Sequence, residues 1–391
     1  MKISDKKLTN INKMVYLERY VNDGSPSGFT FTNNTSIGTR SFDLQEYISL
    51  FLIEFSYEGE LYLGKDIDII KKNQIIIHPD LKDSLKLLPN ITFIREIKGI
   101  PLASGRTVYV PEFGCFIKLE YNKLLGRISR SINQLNATHA IRINELLESK
   151  IISDDDIYYF PEEHARIFRL PNGNTLGMLY RNIEVKPTQD IKYTIIPAFS
   201  LFSKDKFNPD EKSILCQLLD DVNDKDQYVL KKIIHPIINV YFKLLIKFGF
   251  QIEAHAQNVC YLYTDDIIGV AIRDFESIDK DLGISCEYNQ LFNPNYKCIS
   301  ENSADYRKRH SFMFDFKLGE YLLSPVIEEA CMCGCSKNKL ITSIKLLVND
   351  YIKMLPKDFF PYGLWYSYPK TIIDRTTASR PYIENVSPKY R

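Results

Sequence analysis

Apolar and polar residues alternate in short runs along the first half of the chain. FTFTNNTSIGTRSF, ELYLGKDIDII, QIIIHP, RTVYVPEFGCFIKLEY and ARIFRLPNGNTLGMLYRNI are rich in β-branched and aromatic residues and bounded by turn residues, which predicts strands. PNGN, around Asn172 and Gly173, predicts a hairpin turn, since Asn and Gly reach the left-handed backbone that tight turns demand. A helix is predicted after Lys123, where Leu124, Leu125, Ile128, Ile132 and Leu135 recur at helical spacing. Lys118 sits inside an apolar run, and alternation places it on the face opposite Ile117 and Leu119, where solvent is one expected neighbour.

After about residue 186 the period lengthens. Val229, Leu230, Ile233, Ile234, Ile237, Ile238, Val240, Tyr241, Leu244, Leu245 and Phe248 form a broad helical stripe. Gly249 is placed to end that helix, and Pro236 to kink or divide it. VCYLYTDD and IIGVAIRDF read as an antiparallel hairpin, and KLITSIKLLVNDYIKML as a further helix. The expectation is an α+β fold in two domains: a mixed β-sheet domain over 1–185 and a mainly helical one over 186–391.

Composition narrows the classes. Fifty basic residues against forty-nine acidic ones leave a formal charge of +1, so nothing marks a nucleic-acid binder. The opening MKISDKKLTN lacks the apolar core of a secretory signal. The greasiest stretch, Val229 to Phe250, is broken by Lys231, Lys232, His235, Lys243 and Lys247, so no membrane span is expected and a cytoplasmic location is. The eight cysteines are too scattered for a disulfide framework. Cys331, Cys333 and Cys335 stand closer together than a zinc knuckle and have no fourth ligand nearby in sequence, so a reactive or structural cluster is expected.

Two segments concentrate chemistry. IEAHAQN, Ile252 to Asn258, is followed after a hairpin by Arg273 and Asp274, packing carboxylates, an imidazole and two amides among core-like apolar runs. Such density is expensive unless the groups are paired or functional. Glu253 and His255 pairing with neighbours at a domain seam is the structural alternative. The second segment is Ser104-Gly105-Arg106-Thr107, with Lys118 and Arg130 downstream. A glycine beside two hydroxyls and an arginine suits an oxyanion cradle; a polar loop before a strand is the alternative.

Taken in order, these segments resemble the IucA/IucC family of NRPS-independent siderophore synthetases. The family's SxRT loop corresponds to Ser104, Arg106 and Thr107, its strand lysine to Lys118 in FIKLEY, and its arginine twelve residues on to Arg130. KFGFQIEAHAQN matches the helix-glycine-EAHxQN pattern, and Arg273-Asp274 its RD pair. HPDLK at His78 is similar to the family's HPWQ stretch, and Lys370 to a Pro-Lys near its end. The resemblance implies a cupped-hand fold, with ATP between a β-rich fingers domain and a helical palm. It implies an acyl-adenylate made from a citrate-like carboxylate, from which an amine or hydroxyl displaces AMP. Ser104, Arg106, Thr107 and Lys118 would bind phosphates, while Arg130 and His255 would hold the carboxylate. Arg106, Arg130 and His255 form the implied catalytic set. Gln257, Asn258 and Asp274 would complete the nucleotide side, and Glu253 with Asp274 would hold Mg²⁺. A homodimer is implied by resemblance only. Two departures stand out: the family's thumb domain is expected to be missing, and Gly24-Ser25-Pro26 lacks the histidines and lysine of the family's G-H-P-x-H-P-x-x-K loop.

Two rival classes are carried forward. Glu253, Asn258 and Asp274-Phe275 follow the order of base, metal-binding Asn and metal-binding Asp in kinase-like phosphotransferases. A non-catalytic descendant of the synthetases is the other.

Overall fold

The computed structural model describes residues 9–22, 47–56, 60–67, 69–125, 128–151, 156–171, 173–188, 191–286, 298–299, 306–360, 364–367, 382–385 and 388–391. The first strands are β1 (Ile48–Phe55), β2 (Glu60–Gly64), β3 (Gln74–Ile77), β4 (Ile91–Pro101), β5 (Thr107–Val110) and β6 (Cys115–Leu119). β7 (Tyr121–Leu125) and β8 (Ile128–Arg130) form a separate hairpin, followed by the two-residue β9 (Tyr158–Tyr159). With β10 (His164–Arg169) and β11 (Thr175–Arg181), the main sheet has eight antiparallel strands in the order β2-β10-β11-β6-β5-β4-β1-β3. The turn between β10 and β11 carries Gly173 at φ +83°; Asn172 and the run FTFTNNTSIGTRSF lie outside the described residues.

The helix expected after Lys123 starts later. The chain turns back as β7 and β8, and the helix runs over Gln134–Lys150. Asn133 sets its start, its side-chain oxygen accepting from the Asn136 N–H at 2.9 Å. Leu124, Leu125 and Ile128 share helical spacing with Ile132 by coincidence of two short apolar runs, and the cap decides the boundary.

β6 is paired on both sides, by β5 and β11, and every one of its residues is buried. Cys115, Ile117 and Leu119 face one apolar cluster with β1, β3 and β5 residues. The opposite face, bearing Phe116 and Lys118, is covered by the second half of the chain. Alternation therefore orients Lys118 correctly, but both faces of this strand are interior.

The second half builds a four-stranded sheet, with β12 (Thr194–Pro197), β14 (Val259–Tyr263), β15 (Ile267–Ile272) and β9 in that order, β9 joining parallel to β15. β13 (Phe250–Gln251) pairs instead with β16 (Asp279–Asp281). The expected hairpin is thus β14–β15. The longer α-helices are α1 (Asn10–Tyr20), α2 (Gln134–Lys150), α3 (His235–Phe248), α4 (Ser324–Met332) and α5 (Lys337–Ile352). A wider helical turn, Val229–Ile234, leads into α3, with Pro236 in the first turn where no N–H is needed. Gly249 ends α3 in the left-handed conformation at φ +66°.

Position 186 falls between β11 and β12, and the apolar interior continues across it: α2 residues Ala140, Ile143 and Leu147 share one cluster with α3 and α5. One disulfide, Cys216–Cys333, is present among the described residues, short of a framework. No helix among them is long and apolar enough to cross a membrane.

Candidate functional site

The loop between β4 and β5 folds as a tight turn. Gly105 adopts φ +72°, its N–H donates to Leu102 O at 2.8 Å, and Ser104 Oγ accepts from Thr107 N at 3.0 Å. This turn sends Arg106 inward, where it is 4% exposed, and lays its carbonyl against the Leu119 N–H at 2.9 Å. Arg106 and Lys118 therefore emerge side by side on the face turned toward β15.

From that side come Asp274 and Glu276. Asp274 follows β15 in a left-handed conformation (φ 75°, ψ 61°), one that Asp tolerates better than most residues. Lys118 Nζ contacts Asp274 Oδ1 and lies 2.8 Å from Glu276 Oε1, while Arg106 Nη2 lies 2.6 Å from the same Glu276 oxygen. Arg181, at the end of β11, adds a third cation, with Nη2 at 2.5 Å from Glu162 Oε1 and 3.7 Å from Asp274 Oδ1. Glu162 Oε2 accepts from the Phe275 N–H at 3.1 Å, which fixes the backbone beside Asp274. Burial resists the ionisation of Asp274, but Lys118 and Arg181 outweigh it and hold the carboxyl well below its usual range. Glu276 follows the same logic through Lys118 and Arg106, down to about 2. Three cations thus meet three carboxylates in a balanced, largely desolvated network.

A second network carries His255. Its Nδ1 accepts from the Gln257 N–H at 3.3 Å, so Nε2 bears the proton and faces Glu253 Oε2 at 3.8 Å. Glu253 also meets Lys317 Nζ at 3.4 Å and Arg309 at 4.0 Å. Burial opposes its ionisation, yet Lys317, His255 and Arg309 together lower its pKa. Asn258 joins the two networks, its amide donating to Glu253 O at 3.2 Å and reaching Ser277 Oγ at 3.5 Å. Ser277 Oγ in turn donates to Asp274 O at 2.7 Å. The Gln257 carboxamide makes no hydrogen bond among the described residues and is half-buried.

Glu18 of α1 links the cradle to the RD pair. Its Oε1 lies 2.5 Å from Arg273 Nη2, and its Oε2 accepts from the Ala103 N–H at 3.2 Å, next to Ser104. Arg273 also donates to Gln257 O at 2.8 Å.

The structure therefore brings Ser104, Arg106, Thr107, Lys118, Asn258 and Asp274 together. Glu253 stands with His255 and Lys317, and the carboxylate sharing a lysine with Asp274 is Glu276. Arg130 ends β8, opposite Tyr121 of β7; its side chain lies outside the described residues, as do Gly24-Ser25-Pro26 and Lys370. His78 is fully buried and structural: its Nδ1 accepts from the Asp80 N–H at 3.1 Å, capping the short turn Pro79–Leu81. Sequence reasoning missed Glu276, Arg181, Glu162, Glu18, Arg309 and Lys317. Glu276 was the most accessible, two residues beyond Asp274; the others come from elements and loops distant in sequence that only tertiary packing brings near.

The architecture defines a class: this is the fold of the siderophore synthetases that work without a peptide-synthesis template. The petrobactin biosynthesis protein AsbB from Bacillus anthracis str. Sterne superposes with a TM-score of 0.72 at 14% identity, over 99% of this chain and 76% of that one. The ATP-bound aerobactin synthetase IucA from a hypervirulent pathotype of Klebsiella pneumoniae gives 0.69 at 13% identity, over 88% of this chain and 70% of its own. Aerobactin synthetase IucC from the same source gives 0.67 at 13%, over 89% and 72%. No protein-family model matches the chain, and no curated protein matches it in sequence. At these identities the likeness establishes the fold.

Proposed function

We propose that the chain is an ATP-dependent ligase that activates a citrate-like carboxylate and joins it to an amine or hydroxyl, in siderophore or related small-molecule assembly. The observation that carries this reading is the network of Arg106, Lys118 and Arg181 with Asp274 and Glu276, built beside the turn at Gly105. Its cations suit a polyphosphate, and its carboxylates suit a hard divalent cation. The two needs are complementary. Mg²⁺ at Asp274 and Glu276 would supply charge neutralisation and free Arg106 and Lys118 to face phosphate oxygens.

In the proposed reaction a carboxylate oxygen of the acid attacks the α-phosphorus and pyrophosphate leaves. The amine or hydroxyl then attacks the acyl carbon, loses its proton, and AMP departs. Arg106 and Lys118 would neutralise charge at the phosphates. His255, with its Nε2–H held toward Glu253, and Arg130 would orient the substrate carboxylate. Gln257 has an uncommitted amide for the nucleotide. The ATP-bound state of the K. pneumoniae IucA structure supports assigning the nucleotide here.

The test is pyrophosphate release from MgATP with citrate, 2-oxoglutarate and succinate, each with and without a panel of amines. AMP and pyrophosphate formed with one acid would support the ligase. ADP instead would replace it with a phosphotransferase. ATP binding without turnover across the panel would favour a non-catalytic descendant.

A further inference from the structure

The Cys331, Cys333, Cys335 run lacks a fourth ligand in sequence, and the fold brings partners from elsewhere. Cys333 follows the last residue of α4, and Cys216 lies on a short helix, Ile214–Leu218, across from it; the two are bonded, with Cα atoms 5.7 Å apart. Glu329, one turn earlier on α4, places Oε1 3.6 Å from Cys216 Sγ. One ligand atom from each of Cys216, Glu329 and Cys333 fits within 4.8 Å.

Glu329 is the informative residue. It is 6% exposed, yet among the described residues its carboxylate has no lysine, arginine or histidine partner, and its side-chain contact is the cysteine sulfur. A buried carboxylate without a counter-charge is costly. A disulfide sulfur has no proton to offer it. Cys216 and Cys333 are only half-buried, so an ion from solvent can reach the three groups.

We propose that the reduced chain binds zinc through Cys216 Sγ, Cys333 Sγ and the Glu329 carboxylate, with water completing a tetrahedral shell. Two thiolates and one carboxylate are ligands zinc accepts, and the ion supplies the positive charge that Glu329 lacks. The chemistry balances. A thiol or phosphine reductant delivers two electrons, and with two protons the disulfide becomes two thiols. Zinc binding then releases both thiol protons to solvent. The disulfide and the zinc site exclude one another, and each ties Ile214–Leu218 to the end of α4. The site does not depend on the ligase reading.

The experiment uses the full chain, reduced with a phosphine, desalted without oxygen, and titrated with ZnCl₂ against a chromophoric chelator. CoCl₂ serves as a spectroscopic substitute. Expected are one zinc per chain and a thiolate-to-cobalt charge-transfer band. Cys216→Ser and Cys333→Ser should each weaken binding roughly 100-fold or more, and Glu329→Gln roughly tenfold or more, since every lost ligand is one of three. Cys331→Ser and Cys335→Ser should leave the stoichiometry unchanged. The oxidised chain should bind no zinc. Zinc no tighter in the reduced wild type than in the Cys216→Ser/Cys333→Ser double variant would overturn the proposal. So would a cobalt spectrum of the reduced wild-type chain lacking the thiolate band, a measurement independent of how the variants fold.

Discussion

Glu120 sits two residues beyond Lys118 and is 2% exposed, its Oε2 accepting from the Ile132 N–H at 2.6 Å. Burial pushes its carboxyl from 4.5 up to about 7, with the Ile132 N–H and Arg106 offsetting only part of that. The unfolded chain ionises this group near 4.5, whereas the folded chain resists until about 7. Folded stability should therefore decline as pH rises across that window, by roughly 3 kcal/mol in total at this one group. Glu120→Gln should remove the decline; urea denaturation of both proteins at pH 5 and pH 8 checks it, and equal pH slopes would refute it. Arg106→Ala and His255→Ala belong to the same scale. Each should lower turnover by about 10²–10³ if the group meets developing charge, with circular dichroism showing the fold retained. Full turnover in both would remove them from the site.

At the level of elements, the sequence was legible wherever a local signal coincided with a tertiary demand. β10 and β11 follow from alternation around Gly173, and α3 from its stripe and its terminal glycine. The end of α3 is a sensitive position, because a Cβ on Gly249 would lie 2.5 Å from Lys280 Nζ and 3.0 Å from Asp281 O. Gly249→Ala should cost about 1–2 kcal/mol from the left-handed backbone alone, and more from displacing Lys280, read as a lower urea midpoint. The stretch after Lys123 was illegible for a physical reason. A strand hairpin and a helix placed end to end can imitate one helical period, and only the Asn133 cap separates them. The candidate site divides likewise. SGRT, Lys118 and EAHAQN through Asp274 are contiguous signals, whereas Arg181, Lys317 and Arg309 enter by packing from β11 and the helical run that precedes α4.

Across the whole molecule, two couplings make the site one unit. The first is electrostatic: without a divalent ion, Asp274 and Glu276 keep hold of Arg106 and Lys118. Removing Mg²⁺ with EDTA should weaken ATP binding at least about tenfold, as seen by calorimetry, a difference of roughly 1.4 kcal/mol or more. Unchanged affinity would mean the carboxylates do not compete with phosphate. The second is Glu18, which holds Arg273 and Ala103 at once. Glu18→Ala removes the carboxylate partner of a buried arginine, so it should cost about 3–5 kcal/mol and raise the KM for ATP without touching the nucleotide. Retained stability in denaturant would show that Arg273 finds another partner. Glu18 also bears on how the protein is made. It leaves the ribosome roughly 250 residues before Arg273, which at 5–20 residues per second is a delay of about 10–50 s. Until β12 and then β14 emerge late in that interval, the packing over Met14 and Leu17 of α1, both fully buried in the finished fold, stays incomplete. Nascent chains of this protein should therefore be clients of chaperones that shield apolar helices, and slower translation should lengthen their dependence.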